Sequence, residues 1–355
     1  MTRTEDIRLE SFSAGEHFAV DPDSIERELA ALWRSAGKST NGQQPVTRAC
    51  LWNVVVHVEE RDDREGVGSA EAMVEMVNAM PRYLAARALV LKTQSGDASL
   101  DAWISANCIL SGDGGKLVCS EEITLLSKGA ADRRLPSLVR ALLVPAMPTA
   151  VVFDGVPDRD DPMVAALIRI ADRIIVNVER SRWDAPLERA SGLVDAVPAA
   201  AMDLGWLAGR HLRQEVAALF DPPRTEASVR SIDRIVVRAP KSKRWTARLL
   251  LGWFASVLGV HVSGGDGAWT DGRVKLIHEE RDSEDLEVAI SVPWDGCAVT
   301  VCAEHTGRVE VTDDVHVVHR PHEDTERAAF LARALTSRGQ DDAFRRALAA
   351  AGRLT

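Results

Sequence analysis

The chain has 355 residues, with 43 Lys and Arg against 53 Asp and Glu and a formal net charge of -10 at pH 7. That acidic balance, with no long Lys/Arg run, argues against nucleic acid as a partner. No stretch reaches the uninterrupted apolar length of a membrane helix, and the start, Met1 to Asp6, carries acids and no apolar leader, so a cytoplasmic protein without a membrane partner is expected. Hydrophobic content of 46% and charged content of 27% are those of a folded globular protein, and the length calls for two domains, with three possible.

The first predicted element is an amphipathic helix. Asp23-Ser24-Ile25-Glu26 supplies an N-cap signal, and Ile25, Leu29, Leu32, Trp33 and Ala36 recur at helical spacing until Gly37. A polar loop then leads to Thr47–His57, a β-prone run that opens with Arg48 and carries Trp52 and Asn53 near its middle. Its three consecutive valines, Val54 to Val56, suit a strand buried on both faces and therefore covered by helices. Arg48 and Asn53 sit at the margin of that apolar layer, where each must find a partner or meet water. After the charged 59–65 turn, a second helix places Met73, Met76, Val77 and Met80 on one face before Pro81. Strands are predicted at 89–91, 102–109 and 117–126, the last two as a hairpin around Ser111-Gly112-Asp113-Gly114-Gly115.

From Arg133 the period becomes helical, Pro145 and Pro148 end it, and Thr149–Phe153 reads as a short buried strand. Asp161-Pro162 opens a further helix, followed by the strand Arg173–Asn177. This β-α-β alternation predicts an α/β, Rossmann-like domain with a mixed sheet over 1–202. One connecting helix over Asp203–Leu219, stopped by Asp221-Pro222-Pro223, fills 203–224. Residues 225–355 are expected to form an α+β domain with an antiparallel sheet: strand 232–237, an apolar helix over 247–258, strands at 273–279, 285–292, 298–304, 307–312 and 315–319, and two closing helices over 323–336 and 341–351.

The search for chemistry returns little. The cysteines at 50, 108, 119, 297 and 302 include no CxxC pair, so free thiols are expected, with Cys297 and Cys302 on opposite faces of one strand. Ser111–Gly115 lacks the lysine of a phosphate loop, and Ser263-Gly264-Gly265-Asp266-Gly267 has no helix after it and reads as a flexible loop. Nucleophile-elbow, HExxH, calcium-loop and kinase patterns are missing. His316, His319 and His322 have metal-like spacing but would diverge along a strand. Glu121 and Glu122 are adjacent on a strand and face opposite sides, so one must point inward and be hydrogen-bonded or paired with a cation such as Arg48.

Several separated segments together resemble the OpcA-type glucose-6-phosphate dehydrogenase assembly proteins. They are Leu32-Trp33; Thr47–Val56; Cys119-Ser120-Glu121-Glu122-Ile123-Thr124-Leu125; Leu135-Pro136-Ser137 with Leu142–Pro148; Ala171–Val176; and Leu219-Phe220-Asp221-Pro222-Pro223 with Leu250–Ala255. The resemblance implies a non-catalytic assembly factor and allosteric activator of that dehydrogenase, with no cofactor and no metal. A departure occurs at Thr149–Asp154, where similar proteins tend to carry tryptophans; if those rings touch the dehydrogenase, the partner surface here has changed. Candidate partner-binding or motif residues are Arg48, Trp52, Asn53, Cys119, Glu121, Glu122, Thr124, Trp183, Asp221, Trp245 and Trp269. The rival expectation is a sugar-phosphate sensor or enzyme using the Rossmann-like half, with Arg48 or Arg173 on the phosphate.

Overall fold

The computed structural model describes residues 9–14, 20–39, 46–60, 70–110, 117–218, 220, 230–283, 285–292, 297–303, 308–312, 317–321, 327–337 and 339–354. The chain divides into two compact units, residues 1–175 with 331–337 and residues 176–330 with 338–355. Among the described residues no helix is long and apolar enough to cross a membrane.

The first unit runs β1 (Leu9–Ala14), α1 (Pro22–Ser39), β2 (Val46–Arg48), β3 (Trp52–Glu59), α2 (Ala70–Ala79), β4 (Ala86–Gln94), β5 (Ser99–Leu110), β6 (Leu117–Lys128), α3 (Leu135–Leu142), β7 (Thr149–Phe153), α4 (Pro162–Ile170) and β8 (Arg173–Val176). Its sheet has the order β1-β5-β6-β4-β3-β7-β8, with β2 against β6. Strands β6, β4, β3, β7 and β8 are mutually parallel, while β1, β5 and β6 pair antiparallel. The units β3-α2-β4 and β7-α4-β8 each return a parallel neighbour through a helix, the arrangement that the alternation predicts. Val54, Val55 and Val56 are fully buried, as a β-branched run in a two-sided strand requires. Thr149–Phe153 is buried along its whole length, so this strand presents no surface to a partner.

The second unit holds α5 (Pro186–Ala196), β9 (Ala200–Asp203), α6 (Leu204–Ala208), α7 (Arg210–Ala218), β10 (Arg234–Ala239), α8 (Arg244–Leu258), β11 (Ser263–Gly265), β12 (Ala268–Thr270), β13 (Lys275–Glu280), β14 (Leu286–Val292), β15 (Cys297–Ala303), β16 (Arg308–Thr312) and β17 (Val317–Pro321). Helix α9 (Arg327–Thr336) passes into the first unit at Leu331, and α10 (Asp342–Ala351) belongs to the second. The eight-stranded sheet runs β11-β12-β13-β10-β14-β15-β16-β17.

Several expectations need correction. The sheet is not purely antiparallel, because β10 and β13 pair in parallel; α8 supplies the crossover that a parallel pair needs. The single helix expected over Asp203–Leu219 is two helices, α6 and α7, separated at Gly209, whose lack of a side chain weakens helix continuation. The 263–267 stretch is an ordered hairpin, β11 against β12, in which Gly264 at φ +157 accommodates the backbone of Ala268. Cys119 is disulfide-bonded rather than a free thiol. Antiparallel register places Cys108 opposite it across the β5–β6 ladder, a proximity that sequence separation conceals. Cys50 remains a free thiol. Residues His316, His322 and Asp221, and the side chains of His319, Cys297 and Cys302, lie outside the described residues.

In the second unit α8 packs closely on α10 at Gly252, where an added Cβ would collide with the Ala347 carbonyl and with Ala351. Gly252→Ala is therefore expected to overpack this contact and destabilise the unit by about 1–3 kcal/mol, read as a lower denaturant midpoint at unchanged slope.

Candidate functional site

Residues far apart in sequence meet at the amino ends of β3, β4 and β7. Arg87, near the start of β4, is the Cα partner of Glu121 on β6, so both side chains project from one face of the sheet. Arg87 Nε lies 2.7 Å from Glu121 Oε2, and each residue is only 3% exposed. Glu121 also accepts from Trp33 Nε1 at 2.6 Å and Arg48 Nη2 at 3.0 Å. Arg87 Nη1 donates to the Leu142 carbonyl at 2.7 Å and to Glu26 Oε1 at 2.6 Å. The four charges alternate, Arg48, Glu121, Arg87, Glu26, from one half-exposed end through the interior to the other. Burial opposes the Arg87 charge, but Glu26 and Glu121 outweigh it and hold the guanidinium above its ordinary range. A buried pair withstands its desolvation cost only with such additional hydrogen bonds.

Asn53, buried at the start of β3, organises the next segment. Its Nδ2 donates to the carbonyls of Val144 at 3.1 Å and Met147 at 3.2 Å, while its Oδ1 accepts from Val144 N at 2.9 Å. One side-chain amide thus fixes the turn after α3, where Ala146 has a positive φ of 65°. The link between β2 and β3 is held through its backbone: Ala49 N donates to Cys119 O at 3.1 Å, and Leu51 N to Ala85 O at 3.0 Å. Cys50 Sγ lies 3.4 Å from Trp52 O, and burial raises the thiol's pKa, so a thiolate is disfavoured. Above this fixed frame the Leu51 side chain is 59% exposed, and Tyr83, just before β4, is 40% exposed.

The opposite edge, at the carboxyl ends of the parallel strands, is where open α/β sheets bind dinucleotides. Here Glu59 and Glu60 end β3 and Asp154 follows β7. These carboxylates repel a pyrophosphate. His57 contacts Thr93 Oγ1 at 3.0 Å, and burial pushes its pKa down to about 4, leaving it neutral near pH 7.

Of the residues singled out from sequence, Arg48, Asn53 and Glu121 belong to the amino-end cluster, and Trp52 opens β3 beside it. Glu122 points to the other sheet face, where its Oε1 accepts from Thr124 Oγ1 at 3.1 Å. Trp183 is half-buried beneath Arg189, whose guanidinium carbon lies 3.5 Å from the ring centroid. Trp245 and Trp269 are buried, the latter 1% exposed, so neither ring is offered to a partner. α8 turns Trp245 inward, and the β12–β13 register sets Trp269 opposite buried Leu276. Arg173 is also buried, with Nη2 donating to the Ser337 carbonyl at 2.7 Å and Nη1 to Ser337 Oγ at 3.3 Å. Sequence reading missed Arg87 and Leu51. Arg87 is the one charge within Ala86–Leu91, the same signal that marked Glu121.

The second unit carries its own buried acids. Asp203 caps α6, accepting from Trp206 N and Val178 N at 2.9 Å each, and burial raises its pKa to about 6. Glu179 accepts from Thr246 N at the start of α8, and burial raises it to about 7. Arg213 stacks 3.4 Å from the Trp206 ring centroid and donates to the Trp206 carbonyl at 2.6 Å. These contacts join helix ends.

Fold and site define a two-unit α/β protein whose densest buried polar cluster lies at the amino ends of its parallel strands, away from the usual cofactor edge. Residues 77–191 match the glucose-6-phosphate dehydrogenase subunit N-terminal domain, and residues 199–348 match the corresponding C-terminal domain. The chain belongs to the OpcA family of glucose-6-phosphate dehydrogenase assembly proteins. It is 28% identical over 243 residues to the OxPP cycle protein OpcA of Nostoc punctiforme, covering 64% of this chain and 52% of that protein. The corresponding Synechocystis protein is 31% identical over 169 residues, covering 47% of this chain and 35% of that protein. The chain therefore spans about half or less of the length of the curated relatives it matches. A dehydrogenase from Chromobacterium violaceum has a TM-score of 0.47 and 13% identity, covering 86% of this chain and 93% of that one; nothing of its chemistry transfers at that level.

Two outcomes follow. Glu121→Gln leaves two guanidiniums facing a neutral amide and is expected to cost about 3–5 kcal/mol in the first unit's unfolding, whereas Glu26→Gln, at the half-exposed end, costs under about 1 kcal/mol. In the second unit the folded chain binds more protons than the unfolded one, because Glu179 is raised to about 7 and Asp203 to about 6. Their contribution is fully present below the ordinary carboxylate range and is lost as pH rises through those values. Thermal melts between about pH 5 and 8 should show this unit losing stability as pH rises, with a shallower loss in Glu179→Gln.

Proposed function

We propose that this chain is a non-catalytic assembly factor and allosteric activator of glucose-6-phosphate dehydrogenase in the oxidative pentose phosphate pathway, docking through the sheet edge that carries Arg48, Leu51, Trp52 and Tyr83. The observation that carries this reading is the convergence of residues from α1, β2, β3, β6 and the turn after α3 on one edge, with an apolar side chain exposed above a locked backbone. Trp33, Arg48, Asn53, Glu121 and the 142–147 turn all serve to fix that edge. The link that carries Leu51 is held by one backbone hydrogen bond from Ala49 N and one from Leu51 N, so little backbone ordering is left to pay on binding. The edge also carries Trp52, Tyr83 and Arg48, residue types enriched in interface hot spots. The groups at the edge suit positioning: Glu121 already accepts from three donors, and Cys50 is held as a thiol.

Activation then follows from preferential binding to the active conformer, and its extent is bounded by the difference in affinity for the two conformers. The sugar-phosphate alternative loses support because Arg48 and Arg173 are both engaged within the protein.

The test mixes the purified chain with its own organism's dehydrogenase. One co-eluting species in size-exclusion chromatography, with a lower apparent KM or higher kcat, is expected, and the chain alone should show no turnover. Leu51→Glu should weaken the complex at least about tenfold, the loss of one central anchor, without changing the chain's own melting temperature. Two unshifted peaks with unchanged kinetics would refute the assignment; an unaltered affinity in Leu51→Glu would move the interface elsewhere.

A further inference from the structure

The carboxyl-end half of the first unit's sheet contains a cavity that the assembly reading leaves unused. Its volume is about 250 Å³, and it is lined by Glu60, Lys92, Trp103, Thr124 and Leu126. Trp103 and Thr124 are direct cross-strand partners on β5 and β6, and Lys92 on β4 is the partner of Leu126. All four therefore share one sheet face, and Lys92 and Leu126 lie near the carboxyl ends of parallel strands, where open α/β sheets place ligands. Beside Thr124 on the same face is Glu122, only 8% exposed. Its Oε1 takes the Thr124 hydroxyl hydrogen at 3.1 Å, which leaves the lone pairs of Thr124 Oγ1 available as acceptors. Its Oε2 is buried without a hydrogen-bond donor. A buried carboxylate oxygen without a donor carries a desolvation cost, and burial accordingly raises the Glu122 pKa against the pull of Lys92. Lys92 is paired at 3.4 Å with Glu60, whose other oxygen accepts from Gln94.

We infer that this cavity binds a small, uncharged polyhydroxylated molecule of monosaccharide size. The wall offers an aromatic ring for the C–H face of such a ligand, acceptors at Glu60 and Thr124, and a donor at Lys92, a few polar groups set around an apolar surface as small-molecule sites require. A hydroxyl hydrogen of the ligand meets Thr124 Oγ1, whose own hydrogen is given to Glu122. A phosphorylated or otherwise anionic ligand is disfavoured, since among the described residues the one cation lining the cavity is already paired with Glu60 and Glu122 adds a second carboxyl nearby. The volume lies just below the roughly 300–1,000 Å³ of drug-sized sites, which limits the ligand to about one ring.

The test uses the isolated full chain, so its outcome is independent of dehydrogenase binding. The indole N–H resonance of Trp103 is assigned by its loss in Trp103→Phe and followed during titration with D-glucose and, separately, glucose 6-phosphate. A saturable shift with glucose in the millimolar range is expected, with weaker binding of the phosphate ester. Thr124→Val should weaken glucose at least about tenfold, as loss of a buried hydrogen-bonding group does, while the wild-type melting temperature is kept within a few degrees. No saturable shift with either sugar, as for a cavity that holds water alone, overturns the inference, and tighter binding of the phosphate ester overturns its charge selectivity.

Discussion

The first unit depends on one buried ion pair, Arg87 with Glu121, and on the two half-exposed charges that flank it. A guanidinium and a carboxylate with 3% exposure each would be a liability without further partners. Trp33 from α1, Arg48 from β2 and the Leu142 carbonyl at the end of α3 provide those partners, and Glu26 extends the chain to solvent. Each partner comes from a different element, so satisfying the pair fixes where those elements lie. The same requirement explains why Trp33, Arg48, Arg87, Glu121 and Leu142 are scattered in sequence and contiguous only in space.

Much of this arrangement is legible in the chain. The consecutive valines of β3 announce a two-sided strand, and a charge beside such a layer announces a needed partner. Glu121 and Arg48 follow from that rule alone, and Arg87 obeys it too. The rule identifies which residues must pair and leaves open which pairs form, because register between β4 and β6 is set by the whole hydrophobic face rather than by one residue. The disulfide at Cys119 was hidden for the same reason: across an antiparallel hairpin, proximity follows from register. The break at Gly209 and the parallel β10–β13 pair were misjudged because periodicity reports faces and not chain direction or helix ends.

The two ends of the first sheet differ in how far their polar groups are satisfied. At the amino ends the polar groups consume one another's hydrogen-bonding capacity: Glu121 accepts three donors, and Asn53 is saturated by the 144–147 turn. What remains outward is shape and apolar surface, which is what recognition of another polypeptide uses. At the carboxyl ends the hydrogen bonding is incomplete: Thr124 Oγ1, on the cavity wall, gives its hydrogen to Glu122 and keeps acceptor capacity. Incomplete satisfaction next to an accessible volume is the condition under which a small molecule is recognised, because its hydroxyls replace contacts that the protein does not make.

This division also bears on coupling between the two ends. Strands β4 and β6 run from one edge to the other: Arg87 and Glu121 occupy one end, and Lys92, Thr124 and Leu126 lie three to five residues further along the same strands. Alternation places Arg87 and Glu121 on one face and the cavity residues on the opposite face, so the amino-end cluster and the cavity share backbone without sharing side-chain contacts. A ligand in the cavity could bias the docking edge only by favouring one conformation of these strands over another, and the extent of that bias is set by its differential affinity for the two. A strand pair fixed by a buried ion pair and central in the sheet has few alternative conformations available. On these grounds cavity occupancy and partner docking should be close to independent, and simultaneous binding to one sheet is the arrangement that the architecture favours.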